Sequence, residues 1–367
     1  MIEERILKPE ERAALALRAL YGQYGYQTYK MSKFEEYDLY LRNKEFLVSD
    51  RILTFSDTNG KLMALKPDVT LSIIKNGEDL PGYKQKVCYH ENVYRVSGGA
   101  GQFREIMQAG LECIGDLDRY DIFEVVLLAA ESLALISDDF VLDISHLGIL
   151  TALLESYSED PSLRKQMARY LAEKNSHDLR LLCQKENMRE EDIVTICDFS
   201  GIYGDMESVL TRLRPLCRGE KMHNALQELE QMSCLLGKTA FADRIHFDFS
   251  IVNDMDYYNG IVFQGFLSGV AQSVLSGGQY DKLMEKMGRS GGAVGFAIYL
   301  DLLQDLERRA RDYDVDVLLL YDMGDVESTA QTVSRLRQAG KSVSVQRCIP
   351  QRLRYREVLD MRKEGQR

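Results

Sequence analysis

The sequence predicts an α+β fold: an antiparallel sheet flanked by helices, interrupted by an all-helical insertion and followed by a small α/β piece. Three observations carry this. The first half of 244–266 alternates apolar and polar residues, the period of a half-buried strand, and 86–95 with 103–115 read as a strand and its return strand about a glycine-rich loop. From 148 to 240 the spacing changes to helical, as in Leu163, Met167 and Leu171. After 312 a buried-type strand, a helix and a second strand follow in close succession. The expected domains are a core of 1–147 with 241–311, the insertion 148–240, and the fragment 312–367.

Composition narrows the class. A chain of 367 residues can hold two or three domains. Apolar residues make up 45% and charged residues 28%, ordinary for a water-soluble protein. The net charge of −11 argues against a nucleic-acid surface. The longest apolar runs are broken by charge short of a membrane span, and the N-terminus lacks a signal-peptide pattern. The seven cysteines form no CxxC and have no histidines at metal spacing. They read as reduced thiols of a cytoplasmic protein, with no metal site.

Residues 9–24 have Ala13, Leu17, Leu20, Tyr21 and Tyr24 at helical spacing, and Gly25 ends that helix. Extended pieces are expected at 26–34, 46–50 and 52–57. A turn at 58–61 sends 62–65 back. The KPDVT segment, 66–70, opens a helix and sets the Asp68 carboxylate at the mouth of the sheet. Strands 86–95 and 103–115 flank a glycine-rich loop, 97–102, read as a mobile flap rather than an anion cradle. On the return strand Arg104, Ile106, Gln108, Gly110, Glu112 and Ile114 share one face. Gly110 would leave a gap between Gln108 and Glu112 where a small ligand could meet the backbone.

A helix at 121–135 and a strand at 140–144 precede the insertion. There Ser176 and Asp205 are expected helix caps, and no titratable cluster stands out. Strands within 244–266 flank the polar segment NDMDYYNG, whose two carboxylates and two phenols exceed what packing requires. A strand is expected to end at Ser276, and helices to follow Tyr280 and span 296–311. The later βαβ piece has no dinucleotide fingerprint, so no cofactor is expected. The tail from Arg347 reads as solvated.

Several segments, in order, resemble the histidyl-tRNA synthetases of the class II aminoacyl-tRNA synthetase family. LKPDVT (65–70) resembles LRPEGT. VYR (93–95) with GQFREIMQAGLE (101–112) resembles motif two. NDMDYYNGIVF (253–263) resembles the histidine signature RGLDYYTGTVFE. GGQYD (277–281) and AVGFAIYLDLL (293–303) resemble GGRYD and motif three. The resemblance implies a class II synthetase-like core and a histidine pocket. Asp68 and Thr70 would face the α-ammonium, Arg95 the carboxylate, and Gln108, Glu112 and Tyr257 or Tyr258 the imidazole. The chemistry is consistent: a cation calls for a carboxylate, and a planar anion suits arginine.

The departures bear on catalysis. Asn253, Leu302, Gln102 and Gln279 stand where these synthetases carry arginines, Ser97 where they carry glutamate, and Ser32 replaces the motif-one proline. One arginine on a phosphoryl transition state can supply roughly 10³ to 10⁵ in rate, so adenylation is expected to be lost. The C-terminal fragment is shorter than the family's anticodon-binding domain, and no tRNA is expected. This combination resembles the regulatory subunit of ATP phosphoribosyltransferase, a synthetase-like paralogue without aminoacylation activity. That resemblance implies a homodimer through the core, a short-form catalytic subunit as partner, and histidine as feedback effector of the first step of histidine biosynthesis. The competing readings are an active histidyl-tRNA synthetase and a synthetase-like assembly scaffold.

Overall fold

The computed structural model describes residues 7–44, 47, 51–77, 80–96, 101–252, 257–304, 313–322 and 325–362. The chain divides into two compact units, Met1–Gln304 and Asp305–Arg367. Among the described residues no helix is long and apolar enough to cross a membrane.

The first unit opens with α1 (Pro9–Gln23). Its buried stripe, Ala13, Ala14, Leu17 and Tyr21, follows the helical spacing of the sequence. β1 is only Gln27–Thr28. A small sheet holds β2 (Phe34–Glu36), β3 (Thr54–Ser56) and β4 (Leu62–Leu65) in the order β2-β4-β3, with the short helix α2 (Tyr37–Arg42) after β2. The expected turn at 58–61 joins β3 to β4. All of the expected strand at 46–50 except Leu47, and the first four residues of the glycine loop, including Ser97, lie outside the described residues.

α3 (Thr70–Asn76) leads to β5 (Lys84–Val96) and β6 (Phe103–Gly115), a long hairpin in full antiparallel register. α4 (Arg119–Ile136) starts on a reciprocal cap: Tyr120 N donates to Asp118 Oδ1 at 2.8 Å, and Asp118 N donates back to Asp121 Oδ2 at 2.7 Å. β7 (Phe140–His146) then enters the sheet.

The stretch read as an insertion comprises α5 (Leu147–Tyr157), α6 (Pro161–Ala172), α7 (Ser176–Lys185), α8 (Glu190–Phe199), β8 (Tyr203–Asp205), α9 (Met206–Leu213) and α10 (Gly219–Leu236), all within the first unit. It is not helical throughout, because β8 pairs with β9 (Ile245–Asp248) at the sheet edge. Three residues are too few to display a period of two. Asp205 caps α9 as expected, accepting from Ser208 N at 3.0 Å. Ser176 does not cap α7. Asn175 does, and its longer side chain reaches Asp178 N at 3.2 Å.

β9 and β10 (Ile261–Leu267) are not neighbours. β7 lies between them, parallel to β9 and antiparallel to β10. β11 (Leu275–Gln279) takes in Ser276, Gly277 and Gly278 rather than ending before them. The helix α11 (Asp281–Lys286) follows as expected. The helix expected from Phe296 is corrected: Gly292–Tyr299 is a strand, β12, and a short 3-10 helix, Leu300–Leu303, follows it. β12 sits between β6 and β11 with Ala293, Val294, Phe296 and Ile298 buried. A strand covered on both faces shows a continuous apolar run, which has no period to separate it from a buried helix. The nine strands run β1-β5-β6-β12-β11-β10-β7-β9-β8.

The second unit is a three-stranded parallel sheet, β14-β13-β15, of β13 (Val315–Leu320), β14 (Val343–Gln346) and β15 (Tyr355–Asp360), with α12 (Val326–Gln338) between the first two. Part of the tail read as solvated is therefore β15. Its charged residues Arg356, Glu357 and Asp360 suit an edge strand.

Candidate ligand-binding site

A cavity of about 1050 Å³ lies in the first unit, lined from one side by Asp68, Thr70, Arg95, Gln108 and Glu112, and from the other by Tyr257, Tyr258 and Tyr280. The long β5–β6 hairpin supplies Arg95, Gln108 and Glu112. The start of α3 supplies Asp68 and Thr70.

Glu112 is the centre of the polar network. Thr70 Oγ1 donates to its Oε1 at 2.7 Å, and the Tyr280 hydroxyl donates to its Oε2. Gly295 is its cross-strand partner on β12. A side chain at 295 would overlap the Glu112 carboxyl group, so only glycine leaves the acid its place. Burial pushes the Glu112 carboxyl up to about 8, and the nearby Asp68 adds to the rise; the hydrogen bonds from Tyr280 and Thr70 oppose it. Asp68 accepts from Leu71 N at 2.9 Å and lies 3.5 Å from Arg95, whose Nε also donates to Pro67 O at 2.6 Å. Burial outweighs that guanidinium and holds the Asp68 carboxyl above its usual range. Two buried acids therefore stand at the inner end of the cavity, where Arg95 pairs with Asp68, while Arg164, Lys165, Arg169 and Lys282 line the rest of its wall. A ligand whose cationic end reaches those acids would satisfy them.

The tyrosines form the facing wall. Rings of Tyr257 and Tyr258 are 4.6 Å apart, and those of Tyr257 and Tyr280 are 5.6 Å apart. Burial raises the hydroxyls of Tyr257 and Tyr280 well above their usual value, so both remain donors. Such a cluster offers aromatic faces and O–H groups to a flat, polar ring.

All seven residues expected at a ligand, Asp68, Thr70, Arg95, Gln108, Glu112, Tyr257 and Tyr258, line this cavity. The gap expected over Gly110 is not open. Tyr89 fills it: a Cβ at 110 would come within 2.6 Å of the Tyr89 hydroxyl. Tyr89, Tyr280 and Gly295 escaped the sequence reading. Tyr280 stood in the quoted GGQYD, but its bond to Glu112 spans 168 positions. The insertion, given no chemistry from sequence, supplies an outer wall through Leu154, Arg164, Lys165 and Arg169 of α5 and α6.

The positions read from the sequence as departures from catalytic residues behave differently. Ser97 and Asn253 lie outside the described residues. Gln102 is exposed and Leu302 half-buried in the 3-10 helix, and neither lines the cavity. Gln279 turns to the backbone, accepting from Ile261 N at 2.7 Å. Ser32 is exposed and accepts from Phe34 N at 3.3 Å. Among the described residues no group of acids, histidines and cysteines could hold a metal ion.

The histidyl-tRNA synthetase family model matches residues 3–303. The chain belongs to that family. Among its curated relatives is the ATP phosphoribosyltransferase regulatory subunit of Alkaliphilus metalliredigens (strain QYMF), 27% identical over 333 residues, 88% of this chain and 84% of that one. Two solved structures share the fold. An ATP phosphoribosyltransferase regulatory subunit/histidyl-tRNA synthetase from Bacillus halodurans C matches with a TM-score of 0.74 at 24% identity, over 97% of this chain and 94% of that one. A chain of the ATP phosphoribosyl transferase (HisG:HisZ) complex from Thermotoga maritima matches with 0.62 at 17%, over 78% and 96%.

Proposed function

We infer that this chain is the regulatory subunit of an ATP phosphoribosyltransferase in histidine biosynthesis, and not itself a catalyst. One observation carries this beyond family membership. The acid–phenol end of the cavity is assembled, whereas Gln102, Gln279 and Leu302 bring no cation to it. Binding an amino acid needs the first set. Activating it with ATP needs charges of the second kind.

The ligand is histidine. Asp68 takes the α-ammonium and Arg95 the carboxylate. Glu112, Gln108 and the tyrosines take the imidazole, with Thr70 holding Glu112 in place. The partner is a short catalytic subunit, a reading supported by the fold shared with a chain of the Thermotoga complex. Feedback follows if histidine binds two states of the complex unequally, typically coupling the sites by about 1–3 kcal/mol. The core forms a homodimer. The exposed Phe34 and Phe55, edge to face at 5.5 Å on the small β2-β4-β3 sheet, with exposed Leu62, support such a contact. All seven cysteines are free thiols, as suits a cytoplasmic protein.

The test mixes this chain with a short phosphoribosyltransferase subunit. The expected result is activation that histidine reverses, together with no histidine-dependent exchange of pyrophosphate into ATP. Exchange activity would make the chain a synthetase. No effect on the partner's rate would leave only the scaffold reading.

A further inference from the structure

Gln279 ends β11, one residue before Tyr280, and stands where the resembling synthetases carry an arginine. Its side chain does not face the cavity. Oε1 accepts from Ile261 N at 2.7 Å, at the first residue of β10. Its backbone carbonyl accepts from Asn259 N at 3.0 Å. Gly260 lies flat against the amide: any side chain there would overlap it. Asp281 completes the lacing, accepting from Asn259 Nδ2 at 3.0 Å and donating its N–H to Asn259 Oδ1 at 2.8 Å. Residues 259–261 are thus tied to the end of β11, immediately after the two tyrosines that wall the cavity. The same strand end carries Tyr280, the donor to Glu112.

We propose that Gln279 is a positioning residue of the ligand pocket: its amide oxygen holds the segment carrying Tyr257 and Tyr258 in register with Tyr280 and Glu112. An arginine has five donors and no acceptor, so it cannot take the Ile261 N–H. The position has exchanged a cation for a backbone acceptor, and in doing so serves the amino-acid end of the cavity. This rests on the histidine-pocket reading above.

The experiment measures histidine affinity by calorimetry for the wild type, Gln279→Glu, Gln279→Met and Gln279→Arg. Glutamate keeps an acceptor oxygen at the same reach; methionine and arginine do not. Gln279→Glu should bind within about twofold of the wild type, and the other two about tenfold more weakly, the size of one lost buried hydrogen bond. The chain has no tryptophan and 20 tyrosines, so its near-ultraviolet dichroism reports on tyrosines. The histidine-induced change in that band should shrink in Gln279→Met and persist in Gln279→Glu. A purely structural role would lower melting temperatures without moving affinity or this signal. Wild-type affinity in Gln279→Met, or Gln279→Glu as weak as Gln279→Met, overturns the positioning role alone. Should neither Gln279→Met nor Gln279→Arg fold, the residue is a folding determinant and the proposal is likewise overturned. A wild type that does not bind histidine overturns the pocket assignment first, and the proposal with it.

Discussion

The acid–phenol end of the cavity and the positions read from the sequence as lacking synthetase arginines, 102, 279 and 302, are held very differently. Glu112 is fixed from three elements at once: Thr70 on α3, Tyr280 after β11, and the space left by Gly295 on β12. Gln102 is exposed, Leu302 is half-buried, and Gln279 is spent on the Ile261 backbone. A buried carboxyl is costly unless every neighbour cooperates, so each neighbour is constrained. Of the other three, only Gln279 has its side chain tied to a distant strand, through the Ile261 N–H.

The comparison can be broken first at Gly295. Gly295→Ala should destabilise the chain by about 3 kcal/mol, as overpacking does, and abolish histidine binding; urea unfolding and calorimetry read the two effects. Glu112→Ala should weaken histidine about 100-fold, because the Thr70 and Tyr280 hydroxyls and the ligand ring are all left without their buried partner. Asp68→Ala should cost about tenfold, because Arg95 is left to bind the ligand carboxylate unopposed while the α-ammonium loses its partner.

A pH series sharpens the electrostatics. The Glu112 carboxyl sits at about 8 in the fold against an ordinary 4.5. Between these values the folded chain keeps a proton that the unfolded chain releases. The contribution of Glu112 to stability is therefore present below about 4.5 and falls as pH rises towards 8, by at most about 1.4 kcal/mol per pH unit. Glu112→Gln should remove that slope, as the difference between wild-type and variant urea midpoints at pH 5 and pH 8 will report. A flat difference would show that the carboxyl is ionised in the empty cavity. The smallest effect is expected outside it: Gln102→Ala should leave histidine affinity within about twofold of the wild type. A larger loss would bring the glycine loop into the site.

Much of this arrangement was legible in the residues. The face shared by Gln108 and Glu112 followed from a period of two, and the hairpin that carries it has the expected bounds to within two residues at each end. The strand β12 was not legible, because a buried run such as AVGFAIY has no polar face to betray its period. Tyr89 illustrates a second limit. Gly110 correctly marked a close approach, but what approaches it was a ring from the neighbouring strand, and nothing local distinguishes that from a ligand.

The sequence by itself determined the chemistry present: two acids and an arginine in a class II-like order, tyrosines beside a turn, and the absent arginines at 102, 279 and 302. These are properties of residue type and short spacing, which need no partner to be read. Only the tertiary structure decided that Tyr280 donates to Glu112, that Gly295 makes room for it, that α6 walls the cavity, and that Gln279 serves the backbone. Each of those joins residues distant in the chain, and it is register and burial, not composition, that bring such groups within hydrogen-bonding range.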